Sequence, residues 1–333
     1  PGVVSEFAIR RRLLSFKKPA VFLQTCMTLL VLREKGGVFM KYLPYDLSAE
    51  ELTAFTPKWH GERFPDGRPR VPDKILDQIR EYVTVTHAWQ ICKNAGYCWQ
   101  YLGGFQSTAP KETLVGRALT ALYLPLRPDL RETMTERGWK EAAEIGDMVS
   151  WPIQRLSERD VYVADVFGKL RDGPVIGERL SAAIYARSHN GCVHNCAVRD
   201  LDGILEIEGF CVFHRGMDPS HASPDTVMLG GINCPMRMEG ITVMPGDVVL
   251  AKGDCVIFIP PHLAEYCAVS GMVTAYRDRF AKLRMAERRY TPGEIDAEWK
   301  EEIEEDFRSW LSGLPDVPFT TEVMERLQGE RLW

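Results

Sequence analysis

The stretch Gly177–Asp200, GERLSAAIYARSHNGCVHNCAVRD, constrains this chain most. It reads as turn, helix, strand. A tight GERL turn opens it, and Leu180, Ala182, Ala183, Ile184 and Ala186 make a helix of small and apolar residues. The apolar strand that follows ends on Arg199-Asp200. A turn with free backbone N–H groups holds an anion. A guanidinium clamps a carboxylate through paired hydrogen bonds, and an aspartate is a hard oxygen ligand of the kind Mg2+ takes. Together these describe a pocket for a small 2-keto acid and a divalent cation. A plainer reading stays open beside it. Arg–Asp pairs at strand ends are commonly weak surface pairs or turn formers, Gly177 can simply cap a turn, and Glu178 can sit in a helix first turn for dipole reasons.

With 333 residues the chain has room for one large domain or two modest ones. Apolar residues at 45% and charged residues at 26% are those of an ordinary globular protein. A formal charge of −5 supplies no broad basic field, so direct nucleic-acid binding lacks its main driving term. Any link to RNA would have to run through a protein partner. Nine cysteines, scattered and odd in number, read as reduced and mostly buried thiols of a cytoplasmic protein. Cys192, His194 and Cys196 alternate on one strand face, with His189 nearby. No second Cys/His pair stands at zinc spacing, so the expectation is small thiols packed under the turn.

Residues 1–39 differ from the rest. Arg10-Arg11-Arg12 and Lys17-Lys18 precede an apolar run from Ala20 to Leu32, the outline of an export signal. Arg33-Glu34-Lys35 follow, however, where a cleavage site wants small residues, and Met40 opens MKYLPYDLS like a fresh start. The preferred reading is an extension of uncertain status, with an export signal as runner-up. Residues 40–70 form an irregular Pro/Gly/charge-rich arm that either lies across a neighbouring subunit or covers its own domain.

Val71-Pro72-Asp73 begins a helix burying Ile75, Leu76 and Ile79, and a second helix runs near Thr86–Ala95. The aromatics Tyr97, Trp99, Tyr101 and Phe105 are expected in core and interface packing rather than as a base-stacking platform. Leu114–Leu124 is a buried strand in which Gly116 allows close approach. Arg127–Gly146 is a charged helix whose Arg127, Asp129 and Arg131 belong to a solvated face or to a pocket rim. Asp160–Gly168 is a second strand, carrying Asp165. A short helix follows Asp200 and runs to Glu208, GFCVFHRG is strand-like, and His221 sits in a loop, either approaching the site or, by default, solvated. Thr242–Pro260 is a β layer with turns at Pro245-Gly246-Asp247 and Lys252-Gly253-Asp254, where the Asp caps the turn. From Leu263 the chain is helical. Ile295, Trp299, Ile303 and Phe307 lie at helical spacing, and the acidic run among them reads as a solvated face.

Six segments occur in order: VGRALTA (Val115–Ala121), DVYVADVFGK (Asp160–Lys169), GERL (Gly177–Leu180), AVRDLDG (Ala197–Gly203), EGFCVFHRG (Glu208–Gly216) and TVMPGDVVLAKGDCVIFIP (Thr242–Pro260). Over about Val71–Val269 this set resembles the regulator of ribonuclease activity A family. That family also holds the class II pyruvate aldolases acting on 4-hydroxy-4-methyl-2-oxoglutarate and 4-carboxy-4-hydroxy-2-oxoadipate. Cys211 stands where the family more often has Pro. The resemblance implies an α/β fold, a layered α-β-β-α sandwich over residues 71–269, with the N-terminal arm and a C-terminal helical extension at 270–333 as additions.

It also implies a metal-dependent lyase releasing pyruvate, with oxaloacetate decarboxylation as a related activity. Asp200 is expected to hold Mg2+ or Mn2+ largely through waters, and Arg199 with the backbone of Gly177, Glu178, Arg179 and Leu180 to bind the keto acid. Glu178 is expected to assist as acid and base or to contact the metal's water shell. A homotrimer or homohexamer is implied, with neither nucleic acid nor membrane as partner. Two other readings remain: a lyase acting on another sugar acid or hydroxy acid, and a non-catalytic protein that docks on an RNA-processing enzyme.

Overall fold

The computed structural model describes residues 45–97 and 99–330. The readings placed on residues 1–39 and on Met40 lie outside them. The chain opens with β1 (Tyr45–Asp46) and α1 (Ala49–Phe55), continues through α2 (Asp73–Tyr82) and α3 (Val85–Asn94), and enters the sheet at β2 (Tyr101–Leu102), β3 (Gln106–Ser107) and the long β4 (Leu114–Pro125). Then come α4 (Pro128–Glu141), α5 (Trp151–Gln154), β5 (Asp160–Lys169), α6 (Glu178–Ser188), β6 (Cys192–Val198), α7 (Leu201–Leu205), β7 (Val212–His214) and β8 (Gly216–Met217). The strands β9 (Val227–Ile232), β10 (Met236–Met238), β11 (Ile241–Val243), β12 (Val248–Lys252) and β13 (Cys255–Ile259) follow. Helices α8 (Pro261–Ala286), α9 (Pro292–Ile295), α10 (Glu301–Ser312) and α11 (Thr321–Glu330) end the described chain.

One mixed sheet runs β2-β13-β12-β4-β5-β6-β7-β3. Strands β4, β5 and β6 are parallel, whereas β12 is antiparallel to both β4 and β13. Alternate residues of each strand face opposite ways, which sorts the core into layers. Tyr162, Ala164 and Val166 of β5 face a core shared with α5 and α6. Val161 and Val163 face inward, where they meet Val249 and Ala251 of β12 and Val256 and Phe258 of β13. The other faces of β12 and β13 carry Val248, Leu250, Ile257 and Ile259, which pack on α2, α3 and α8. The sheet therefore folds back on itself with helices on both outer faces, which is the expected α-β-β-α layering. Strand β4 is shared by both halves, pairing β12 with its first residues and β5 and β9 with its later ones. Gly116 sits at that handover: a Cβ there would come within 2.4 Å of Arg159 O and of Asn190 Nδ2.

The described part of the arm is pinned to its own domain. Arg68, 1% exposed, places Nη1 2.9 Å from Oδ2 of fully buried Asp160 and donates to Asp66 as well. Arg117 donates from Nε to Val71 O at 2.8 Å and pairs with Asp73. Of the aromatics beyond α3, Phe105 is buried but Trp99 is 75% exposed, so the expectation of packing fails for Trp99 within this chain.

The tail departs further. Ile295 to Phe307 is not one helix, because the α-helical run stops after Ile295 and resumes at Glu301. The break lets Trp299 turn inward, 5.4 Å from Phe280 and under the Arg277 guanidinium at 3.9 Å. Nor is the acidic run wholly solvated. Glu304 pairs with Arg277 and Asp306 with Arg284, each at 2.7 Å, and Asp306 is 8% exposed. Arginines on α8, hidden from a reading of α10 alone, explain both.

Two stability outcomes follow from the buried charges. Arg68→Ala strands the Asp160 carboxylate and is expected to cost about 3–5 kcal/mol in urea unfolding. Asp247 accepts from Met244 N–H at 2.9 Å, capping its turn as expected, and burial pushes its carboxyl from 3.8 up to about 8. Between those two values the unfolded chain has lost a proton that the folded chain keeps, so this group's contribution to stability falls as pH rises through that window. Asp247→Asn keeps an acceptor for Met244. Its melting temperature should gain on wild type from pH 5 to pH 8.5, and an unchanged gap would contradict the assignment.

Candidate active site

Helix α6 begins at the GERL segment itself, which is a helix start rather than a separate turn. Gly177 is the N-cap with extended backbone (φ −135°), and no side chain caps the helix. The first intrahelical bond is Ser181 N–H to Gly177 O at 3.0 Å. The N–H groups of Gly177, Glu178, Arg179 and Leu180 are therefore those that an α-helix leaves without an intrahelical acceptor. The positive end of the helix dipole lies at the same place.

Strand β6 delivers the charged pair to this helix start. Val198 is its last residue, Arg199 N–H reaches Ile176 O at 3.4 Å, and Asp200 turns into the left-handed region (φ 55°) to start α7. An aspartate tolerates that conformation better than most residues. Its carboxylate makes no capping bond to α7. Arg199 Nε stands 3.5 Å from Asp200 Oδ2, with the two side chains 39% and 51% exposed.

Two glycines make room for this arrangement. A Cβ on Gly177 would lie 2.3 Å from Asp200 Oδ2 and 3.1 Å from Arg199 Nε. A Cβ on Gly203 would lie 2.5 Å from the Glu178 carboxyl, so Glu178 folds against α7 at Gly203.

All six residues singled out from the sequence, Gly177, Glu178, Arg179, Leu180, Arg199 and Asp200, line one cavity of about 490 Å³. Val149, Pro174, Val175, Ile176, His221 and Ser223 complete it. The sequence reading missed Pro174–Ile176, although they run directly into GERL. Ser223 and Val149 come from distant loops and left no signal. Ser223 Oγ donates to Asp147 Oδ1 at 2.7 Å, and Asp147 Oδ2 accepts from Arg131 at 2.5 Å. Arg131 thus braces the rim from behind, while Arg127 pairs with Asp129 in solvent. His221 lines the cavity half-exposed, 3.5 Å from Asp225.

Behind the site, Cys192, His194 and Cys196 share one buried face of β6. His194 lies edge-on to Tyr162 at 4.9 Å, and burial pulls its pKa down to about 3. Burial pushes the Cys196 thiol well up, against a hydrogen bond from Val175 N–H just before GERL. These side chains pack under the helix start, as expected. Asp165 is buried too and accepts from Asn195 Nδ2 at 2.7 Å, away from the cavity-lining set.

The family described as RraA-like: Aldolase/RraA matches residues 77–258, more than half of the chain. This chain belongs to the RraA-like family. That family spans aldolases and ribonuclease regulators, so membership alone leaves lyase and regulator both open. Protein DlpA of Legionella pneumophila is 27% identical over 161 residues, covering 47% of this chain and 24% of that protein. The chain thus spans about a quarter of the length of that curated relative. An uncharacterized protein from Pseudomonas syringae pv. tomato is similar in structure, at TM-score 0.53 and 19% identity, over 68% of this chain and 98% of its own. Streptomyces coelicolor RraAS2, an unusual member of the RNase ES inhibitor RraA protein family, also matches at TM-score 0.53 and 19% identity, over 65% and 98%. Both likenesses concern the fold. Among the described residues no helix is long and apolar enough to cross a membrane.

Among the described residues no group of three or more His, Cys, Asp or Glu side chains is set to cage a metal. The cavity instead offers the Asp200 carboxylate, cradled where a Gly177 Cβ would stand, and Glu178 lines the same cavity. Mg2+ is commonly held by one or two carboxylates and several waters. The donor set fits that habit.

Proposed function

We propose that this RraA-like protein is a divalent-metal-dependent carbon–carbon lyase that releases pyruvate from a 4-hydroxy-2-keto acid. The observation carrying the reading is the convergence of the four unpaired amides of Gly177–Leu180 with Arg199 and Asp200 in one cavity. The substrate's C1 carboxylate suits the amides and the Arg199 guanidinium, which also reaches toward the C2 keto oxygen. In the retro-aldol step the C4 hydroxyl loses its proton, the C3–C4 bond breaks, and the electron pair moves to C3 and the keto oxygen as pyruvate enolate. Protonation at C3 completes the turnover.

Developing charge on the keto oxygen is the main barrier, and an Arg or amide donor aimed there is worth about 3–4 kcal/mol. Asp200 would hold Mg2+ or Mn2+, assisted by Glu178, and the bound cation would supply Lewis-acid stabilisation of that same oxygen. Glu178, exposed at the cavity edge, is the group assigned to move protons. Oxaloacetate decarboxylation yields the same enolate and needs the same donors, so it is a second expected activity. A protein that only docks on an RNA-processing enzyme has no use for these amides or this pair. A homotrimer or homohexamer is part of the proposal.

Arg199→Ala should lower kcat/KM for pyruvate release by about 100-fold or more with an unchanged melting temperature. Retention of wild-type kcat/KM on oxaloacetate and on a 4-hydroxy-2-keto diacid would sink the role. Asp200→Asn should abolish stimulation by added Mg2+ or Mn2+, and an unaltered metal titration would count against the ligand. Gly177→Ala is the subtler case: the new methyl displaces Asp200 while leaving helix α6 intact. Metal-dependent turnover should fall about 10-fold or more as circular dichroism stays the same.

A further inference from the structure

A second cavity, of about 280 Å³, lies away from the first, where the arm meets the start of α8. Its apolar walls are the Trp59 and Tyr97 rings, Phe55 and Met244, closed by Pro57, Pro260 and Pro261. Proline and aromatic walls are already rigid, so little ordering cost attends binding. The polar groups are few and placed. Asp247, 2% exposed, lines it through a carboxyl already held by Met244 N–H. His262 Nε2 stands 3.3 Å from Tyr97 OH. The Lys58 ammonium sits 5.8 Å from the Tyr97 ring centroid, and among the described residues no carboxylate pairs with it. The 26-residue helix α8 opens at Pro261 with no side-chain cap; Pro260 and Pro261 carry no N–H and Leu263 N–H bonds Pro260 O at 2.9 Å, which leaves the His262 amide as the donor at this end of the cavity.

We propose that this cavity is a binding site for a small aromatic monocarboxylate, its ring between Trp59 and Tyr97 and its carboxylate at Lys58 and the start of α8. The volume is near the lower bound of ligand sites, about 300 Å³, which suits a single ring. The Lys58 ammonium and the His262 amide match one anionic head, while a nearly buried Asp247 carboxyl and the Tyr97–His262 pair supply polar contacts for one ring substituent. Phe55–Trp59 and Pro260–His262 fall outside the matched segment 77–258, whereas Tyr97, Met244 and Asp247 lie within it, so the cavity sits where the family domain meets its flanking segments. It shares no residue with the Arg199 cavity.

The test is isothermal titration of the full chain with benzoate, and with benzyl alcohol as the uncharged ring. Saturable benzoate binding is expected, with benzyl alcohol at least about 10-fold weaker, the size of one lost charge-assisted contact. Lys58→Met, a change at an exposed side chain that keeps an apolar stem, should weaken benzoate by about the same factor. Arg199→Ala should leave it unchanged. Absence of saturation in wild type, equal binding of the alcohol, indifference to Lys58→Met, or loss of binding in Arg199→Ala would each overturn the proposal. The last outcome would place benzoate in the catalytic cavity instead. Because the assay reads binding and not turnover, its result is independent of the proposed lyase activity.

Discussion

The site depends on how closely the start of helix α6 approaches the end of strand β6. Only a residue without a side chain leaves room there, because the space a Gly177 Cβ would need is taken by the Asp200 carboxylate and the Arg199 stem. That approach brings four unpaired amides and two opposite charges to one cavity without any loop having to fold over them. The helix end is left uncapped and Asp200 makes no capping bond to α7. Both groups therefore remain free to meet a ligand. A helix start and an aspartate that satisfied each other would be more stable and chemically idle.

Rigidity comes from the layers behind. Strands β5 and β6 are buried along their ladder, and Cys192, His194 and Cys196 fill the space beneath the helix start with side chains held neutral by burial. The buried Arg68–Asp160 pair fixes the arm to the first residue of β5. The proposed chemistry, whose donors must lie within a fraction of an ångström of a developing charge, needs such support. Here sheet and helix ends supply it. In this chain an arm and a helical tail are added, and the tail has a separate core around Phe280, Phe307 and Leu327.

The sequence was most legible where the chemistry is local. Gly177, Arg199 and Asp200 could be read because a glycine at a helix start and a charged pair at a strand end are meaningful within a few residues. Gly116 was readable for a similar reason, as a glycine inside an apolar strand. Distant partners were not legible. Nothing near Ser223 announces that it rims the cavity, or that Arg131 braces it through Asp147. The spacing of Ile295, Trp299, Ile303 and Phe307 suits a continuous helix, yet Phe280 and Arg277 on α8 draw Trp299 out of line. Glu304 and Asp306 look solvated until the arginines facing them are known. In each case tertiary contact outweighed the local pattern.

The proposed lyase chemistry needs amides, guanidinium and carboxylate to act on one small molecule together. A crystal structure of the protein with Mg2+ and oxalate, a planar mimic of the pyruvate enolate, tests it most directly. One oxalate carboxylate is expected on the Gly177–Leu180 amides and Arg199, with the cation on the Asp200 side. Oxalate or Mg2+ bound elsewhere, with that cavity holding only solvent at saturating concentrations of both, would contradict it.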